Sequence, residues 1–145
     1  MATVELRFSA LPEHVRTARL VAAAVARRAG VDEAVLDEVR LAVGEACTRA
    51  VGLHQSSGIT APVKVLLIEE EKQFSIEVGD EAPHATPGER APGDAPGDAD
   101  AETEEDEMGL AVISGLVDDV EVSAGRQGGS IRMRWPTVPP ATLLA

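Results

Sequence analysis

The stretch Leu41-Ala-Val-Gly-Glu-Ala-Cys-Thr-Arg-Ala-Val51 decides how the surrounding 145-residue chain is read. Its apolar residues belong to a longer stripe, Leu36, Val39, Val43, Ala46 and Ala50, which recurs every three or four positions and predicts an amphipathic helix. Asp32 precedes the stripe as a side-chain acceptor for the helix's first N–H groups, and the pattern fades at about Val51 or Leu53. Glu45 and Arg49 lie off the stripe, four positions apart on one side, where a carboxylate and a guanidinium can pair for a few tenths of a kcal/mol. Cys47 falls beside the stripe and reads as a small core residue.

Upstream, Val4, Leu6 and Phe8 alternate with Glu5 and Arg7, the period of a half-buried strand. Pro12 opens a second helical pattern, Leu11, Val15, Ala18, Ala22, Val25 and Ala29, with Arg27 and Arg28 in its last turn and Gly30 as its cap. Downstream, Gln55–Ala61 reads as loop. Val63–Ile68 is a nearly continuous apolar strand, Glu69–Lys72 a charged turn, and Phe74, Ile76 and Val78 a returning strand. Beyond the segment 84–107, Met108–Val117 reads as a short apolar helix and Val120 and Val122 as a strand. Gly125–Gly129 reads as a turn, and Ile131, Met133 and Trp135 as the closing strand. The order β-α-α-β-β-loop-α-β-β predicts a two-layer α/β sandwich, with helices on one face of a mainly antiparallel sheet. One domain over 1–136 is expected, followed by a proline-containing tail over 137–145.

The charges, 13 basic against 25 acidic, sum to −12 and are unevenly placed. His84–Glu107 holds nine acids (Glu89, Asp94, Asp98, Asp100, Glu102, Glu104, Glu105, Asp106 and Glu107) against Arg90 alone, hence −8 in 24 residues. Three prolines and three glycines with no large apolar side chain make that segment a flexible loop by composition. An acidic chain has no footprint for nucleic-acid phosphates, and Phe8, Phe74 and Trp135 are too few for a base-stacking platform. No apolar run approaches the ~20 residues that span a bilayer, so no membrane span is expected. The polar alternation of Ala2–Phe8 is unlike a signal peptide. A single cysteine excludes an intrachain disulfide framework. His14, His54 and His84 have no ligand spacing, so no metal site is expected from them. A cytoplasmic location follows as the expectation.

Three separated pieces resemble the small anti-sigma-factor serine kinases, the bacterial branch of the histidine-kinase/Hsp90-like (GHKL, Bergerat fold) ATPases. They are Leu41–Val51, Val78-Gly-Asp80, and Met108-Gly-Leu-Ala-Val-Ile113 followed by Gly128-Gly-Ser130. The resemblance covers nearly the whole chain and includes the order of elements, so it implies the Bergerat form of the sandwich, with 84–107 at the position of the ATP lid. It matches Glu45 to the general base that takes the proton from an attacking serine hydroxyl. It matches Arg49 to an asparagine that helps hold magnesium, a task closed to a donor-only cation. A guanidinium there can instead neutralise phosphate oxygens. Asp80 matches the acceptor for the adenine amino group, or is a strand-end aspartate in a turn. The glycines that follow it in the family are replaced by Ala82 and His84. Gly109 and Leu110 match the phosphate-side helix start, but the preceding family glycine falls at Glu107, where a carboxylate opposes a triphosphate. Gly129 and Ser130 match a Gly-Gly-Thr-like turn, and a plain hairpin turn explains them equally well.

The resemblance therefore implies ATP as ligand with magnesium in doubt, and two protein partners: a sigma factor and a STAS-type antagonist. A homodimer formed through the sheet is implied by the resemblance alone. The expectation is an anti-sigma-factor-type regulator of transcription, a pseudokinase whose catalysis is impaired. The competing expectation is an active ATP-dependent serine kinase that phosphorylates the antagonist and uses Glu45 as base.

Overall fold

The structure, a computed structural model, describes residues 2–83 and 109–137. The acidic segment 84–107, Met108 and the tail from residue 138 lie outside the described residues, and with them the lid reading.

Alternation of apolar and polar side chains produces five strands: β1 (Ala2–Phe8), β2 (Val63–Glu69), β3 (Gln73–Asp80), β4 (Asp119–Gly125) and β5 (Gly128–Pro136). They form one antiparallel sheet in the order β1-β2-β3-β5-β4. The register lines up one apolar face across all five strands, while Leu66 and Ile68 of β2 fall on the opposite face, across from Glu5 and Thr3. Val4 stands opposite Leu67, Leu67 opposite Ile76, Ile76 opposite Met133, and Met133 opposite Val120. A one-residue slip would turn this whole set to solvent, so the burial itself fixes the register. The other face carries cross-strand ion pairs, Glu77–Arg132 at 2.9 Å and Arg134 with Asp119 and Glu121 at 2.9 and 3.1 Å.

Helix α1 (Val15–Ala29) and helix α2 (Leu36–Ser56) cover the apolar face, together with α3, whose described part is 109–116. This is the two-layer α/β sandwich expected. Alanine recurs on the core side of both long helices (Ala18, Ala22 and Ala26; Ala42, Ala46 and Ala50), which lets them pack closely with each other and the sheet. Gly30 ends α1 in the left-handed region at φ 102°, and Val31 N–H reaches back to the Ala26 carbonyl at 3.0 Å, closing the helix end.

Several boundaries differ from the sequence reading. Pro12–His14 and Glu33–Val35 are single 3₁₀ turns ahead of α1 and α2, and Asp32 Oδ1 caps the second by accepting Ala34 N–H at 2.9 Å. Helix α2 runs past Leu53 through Gln55 and Ser56, which the pattern had assigned to loop. The cause is His54, a polar residue with no exposed surface that holds the last turn against the core. Glu69 extends β2. Gly128, Gly129 and Ser130 belong to β5 rather than to a turn; the β4–β5 connection is only Arg126 and Gln127. Neither of those two has positive φ, so the left-handed step falls on Gly128, at φ 137°.

Candidate functional site

Glu45 and Arg49 project from the middle of α2, both half-buried, on the side away from the sheet-facing stripe. The backbone of α3 comes up beside Glu45: a Cβ added to Gly109 would lie 4.0 Å from Glu45 Oε2. That is ordinary contact, so Gly109 marks proximity rather than a steric demand for glycine. Leu110 packs against the core.

Arg49 does not pair with Glu45. Among the described residues neither side chain has a hydrogen-bond or ion-pair partner, and Arg49 Nε is buried without an acceptor. An i, i+4 ion pair is worth too little to dictate a rotamer, and here the arginine stem packs down as far as Nε. The base position is thus left unoccupied by the arginine, contrary to the expectation from spacing.

Asp80 ends β3 and is 7% exposed. Its Oδ1 accepts the Ala82 N–H at 3.0 Å, closing a short aspartate turn. Gly129 lies opposite Asp80, and Ser130 opposite Gly79, in the β3–β5 register. The neighbour that matters most here is Gly128: a Cβ on it would fall 2.2 Å from the Asp80 carbonyl oxygen. The β5 backbone therefore presses directly on the segment that carries the aspartate. From the helix side, His54 Nε2 accepts the Glu81 N–H at 2.9 Å, and its Nδ1 lies 2.9 Å from the Ala61 carbonyl. Both ring nitrogens are engaged, which places the proton on Nδ1.

The described residues thus bring together Glu45 with Gly109, and Asp80 with Gly129. Glu45 borders an open groove between α1 and α2 with Arg16, Arg19, Gly44 and Thr48. Asp80 borders a hollow of about 230 Å³ with Arg7, Lys64, Gly79 and Glu81. Cys47 is buried, and burial pushes its thiol up to about 12, so it stays protonated and inert.

Asp80 places a largely buried carboxylate at the end of β3, with Oδ1 on the Ala82 N–H. Among the described residues no three of His, Cys, Asp and Glu cluster as metal ligands, and the residue beside Glu45 is a cation. The sequence reading gives His54 no role and quotes Gly128 only within the Gly128-Gly-Ser130 motif. An apolar count passes over a buried histidine, and a plain hairpin pattern accounts for the glycine equally well.

The family model of the histidine kinase-like ATPase domain matches residues 8–135. Among solved structures, the chain is similar to the RsbU and RsbW domains of Rv1364c from Mycobacterium tuberculosis, with a TM-score of 0.68 at 15% identity over 96% of this chain. The chain spans about a third of the length of that protein chain, 33%. No curated protein matches it. No helix of the described residues is long and apolar enough to cross a membrane.

Proposed function

The chain belongs to the family of histidine kinase-like ATPase domains, and from that membership we propose that it is an anti-sigma-factor-type regulator of transcription. It works in the cytoplasm by binding a sigma factor, a STAS-type antagonist, or both, and its adenine-nucleotide site is impaired for magnesium-dependent phosphotransfer. The observation that carries the impairment is Arg49, a permanent cation one helical turn from Glu45 where a metal ligand would be needed. The partner assignment is supported by the resemblance of the three motifs and by the likeness in fold to a structure that contains an RsbW domain.

A second reading has its own observation. Glu45 is not engaged by Arg49 and sits beside Gly109, so a general base is available in the right neighbourhood. One experiment separates the two. The purified chain is mixed with a STAS-domain antagonist, labelled ATP and magnesium, and label on the antagonist is followed. The impaired reading expects none above background. Label that appears with the native chain and disappears with Glu45→Ala establishes the kinase instead. The partner assignment is tested separately, by capture of purified sigma factors and antagonists without nucleotide, and capture of neither rejects it.

A further inference from the structure

The C-terminal turn of α2 holds an imidazole whose two hydrogen bonds demand one protonation state. His54 has no exposed surface. Its own carbonyl accepts the Ile59 N–H at 2.8 Å, which fixes the backbone that carries the ring. Nδ1 lies 2.9 Å from the Ala61 carbonyl, and Nε2 accepts the Glu81 N–H at 2.9 Å. A backbone N–H only donates, so Nε2 must offer a lone pair and the neutral ring keeps its proton on Nδ1. An imidazolium has a donor at each nitrogen and no acceptor. A second proton is therefore compatible with the Ala61 bond and incompatible with the Glu81 bond. The helix and the loop 57–62 stay joined, and the strand end is let go. Glu81 lies one residue beyond Asp80–Gly129, the last pair of the β3–β5 register, and the Asp80 Oδ1–Ala82 bond closes the same short turn.

The charged groups on the elements that meet here are Asp80 and Glu81 on the strand end, Arg7 and Lys64 across the Asp80 hollow, and Arg126 ahead of Gly128. Glu13 and His14 follow Ala10, whose carbonyl Gln55 meets at 3.3 Å, and Arg49 stands further back on α2. The loop 57–62 and the described part of α3 carry no charge. Both signs surround the ring, so its hydrogen bonds, rather than one dominant charge, set what a proton does. We infer that His54 is a proton-operated latch on the Asp80 end of β3. The latched state holds one proton fewer on the ring than the released state, so latching is complete at higher pH and is lost as pH falls. The latch itself stands on backbone hydrogen bonds. That it makes a nucleotide site acid-sensitive, through Asp80, rests on the nucleotide reading proposed above.

Nitrogen NMR of the full chain tests this, with ring nitrogens and backbone amides followed together from about pH 8 to about pH 5, the range in which imidazoles ordinarily change charge. A bare Nε2 and a protected Glu81 amide are expected at the upper end. As Nε2 takes its proton, the exchange protection of Glu81 is expected to fall by up to about tenfold per pH unit, while the Ile59 amide keeps its protection. His54→Gln offers an acceptor and a donor that do not titrate, and is expected to make Glu81 protection independent of pH. The paired change His14→Gln and His84→Gln leaves His54 as the sole histidine and is expected to keep the native profile. An Nε2 protonated throughout, a ring that stays neutral throughout, or a protonated ring with Glu81 protection intact overturns the inference. So does Glu81 protection that falls equally in His54→Gln, or a profile flattened by the paired change. Simultaneous loss of Glu81 and Ile59 protection overturns it too, because that is unfolding and not a local release. ATP titration at both ends of the range reads only the consequence. A chain that releases Glu81 as described and binds no ATP keeps the latch and loses the nucleotide reading.

Discussion

His54 and Glu81 are joined by a hydrogen bond of 2.9 Å, from the backbone N–H of Glu81 to Nε2 of the buried imidazole. With Nδ1 on the Ala61 carbonyl, the ring ties the end of α2 to the chain on both sides of the β2–β3 hairpin. One side chain thus sets how the aspartate strand end meets the helix layer.

Replacing His54 by alanine removes a donor and an acceptor from a fully buried place and leaves a void. The expected loss is about 3 kcal/mol, measured by urea unfolding at neutral pH. A loss below about 1 kcal/mol would show that water replaces both bonds and that the ring is not a tie.

Two glycines with positive φ should respond very differently to alanine. Gly128, at φ 137°, would drive its new Cβ into the Asp80 carbonyl, so Gly128→Ala should cost more than about 3 kcal/mol or prevent folding. Gly58, at φ 65°, has nothing within 4 Å, so Gly58→Ala should cost only the conformational strain, about 1 kcal/mol. Equal costs in parallel thermal melts would rule out the close approach at Gly128.

Gly52 offers a gain. It is exposed on α2, and a Cβ there would meet no atom within 4 Å. Gly52→Ala should stabilise the fold by about 0.5–1 kcal/mol through helix propensity alone. A destabilised variant would mean that the C-terminal part of α2 is not the helix described.

Cys47 predicts a pH dependence whose sign follows from its buried thiol. Its folded value, about 12, lies above the ordinary 9.0, so the folded chain holds the proton more tightly than the unfolded chain does. Stability from this group is complete below pH 9 and declines between pH 9 and 12, by up to about 1.4 kcal/mol per pH unit. Cys47→Ala should flatten that alkaline decline, as read from denaturation midpoints. In the native chain the thiol should react with a disulfide reagent at pH 8 only as fast as the protein opens.

Much of the sheet is legible because Val65, Ile76 and Met133 each sit beside a charged residue, Lys64, Glu77 and Arg132, that falls on the opposite face. Helix ends were less legible. His54 belongs to the core by virtue of its two hydrogen bonds, and an apolar count passes over it. At the site, spacing put Glu45 and Arg49 on one side of α2 but could not say which way a long, weakly held side chain turns. Gly128 looked like any hairpin glycine because its partner, the Asp80 carbonyl, is 48 positions away in the chain.

The strand order also constrains how the molecule comes into being. β5 is the last strand of the described chain to leave the ribosome, yet it lies inside the sheet, between β3 and β4. Until residues 128–136 emerge, β4 has no partner and β3 presents a bare edge above a half-built core. Bringing Trp135 against Phe74 then closes a long loop, an entropic demand met at once by the apolar burial of Ile131, Met133 and Trp135. Completion of this sheet is therefore held back until β5 has emerged, and a nascent chain stalled short of β5 is the species most in need of a chaperone.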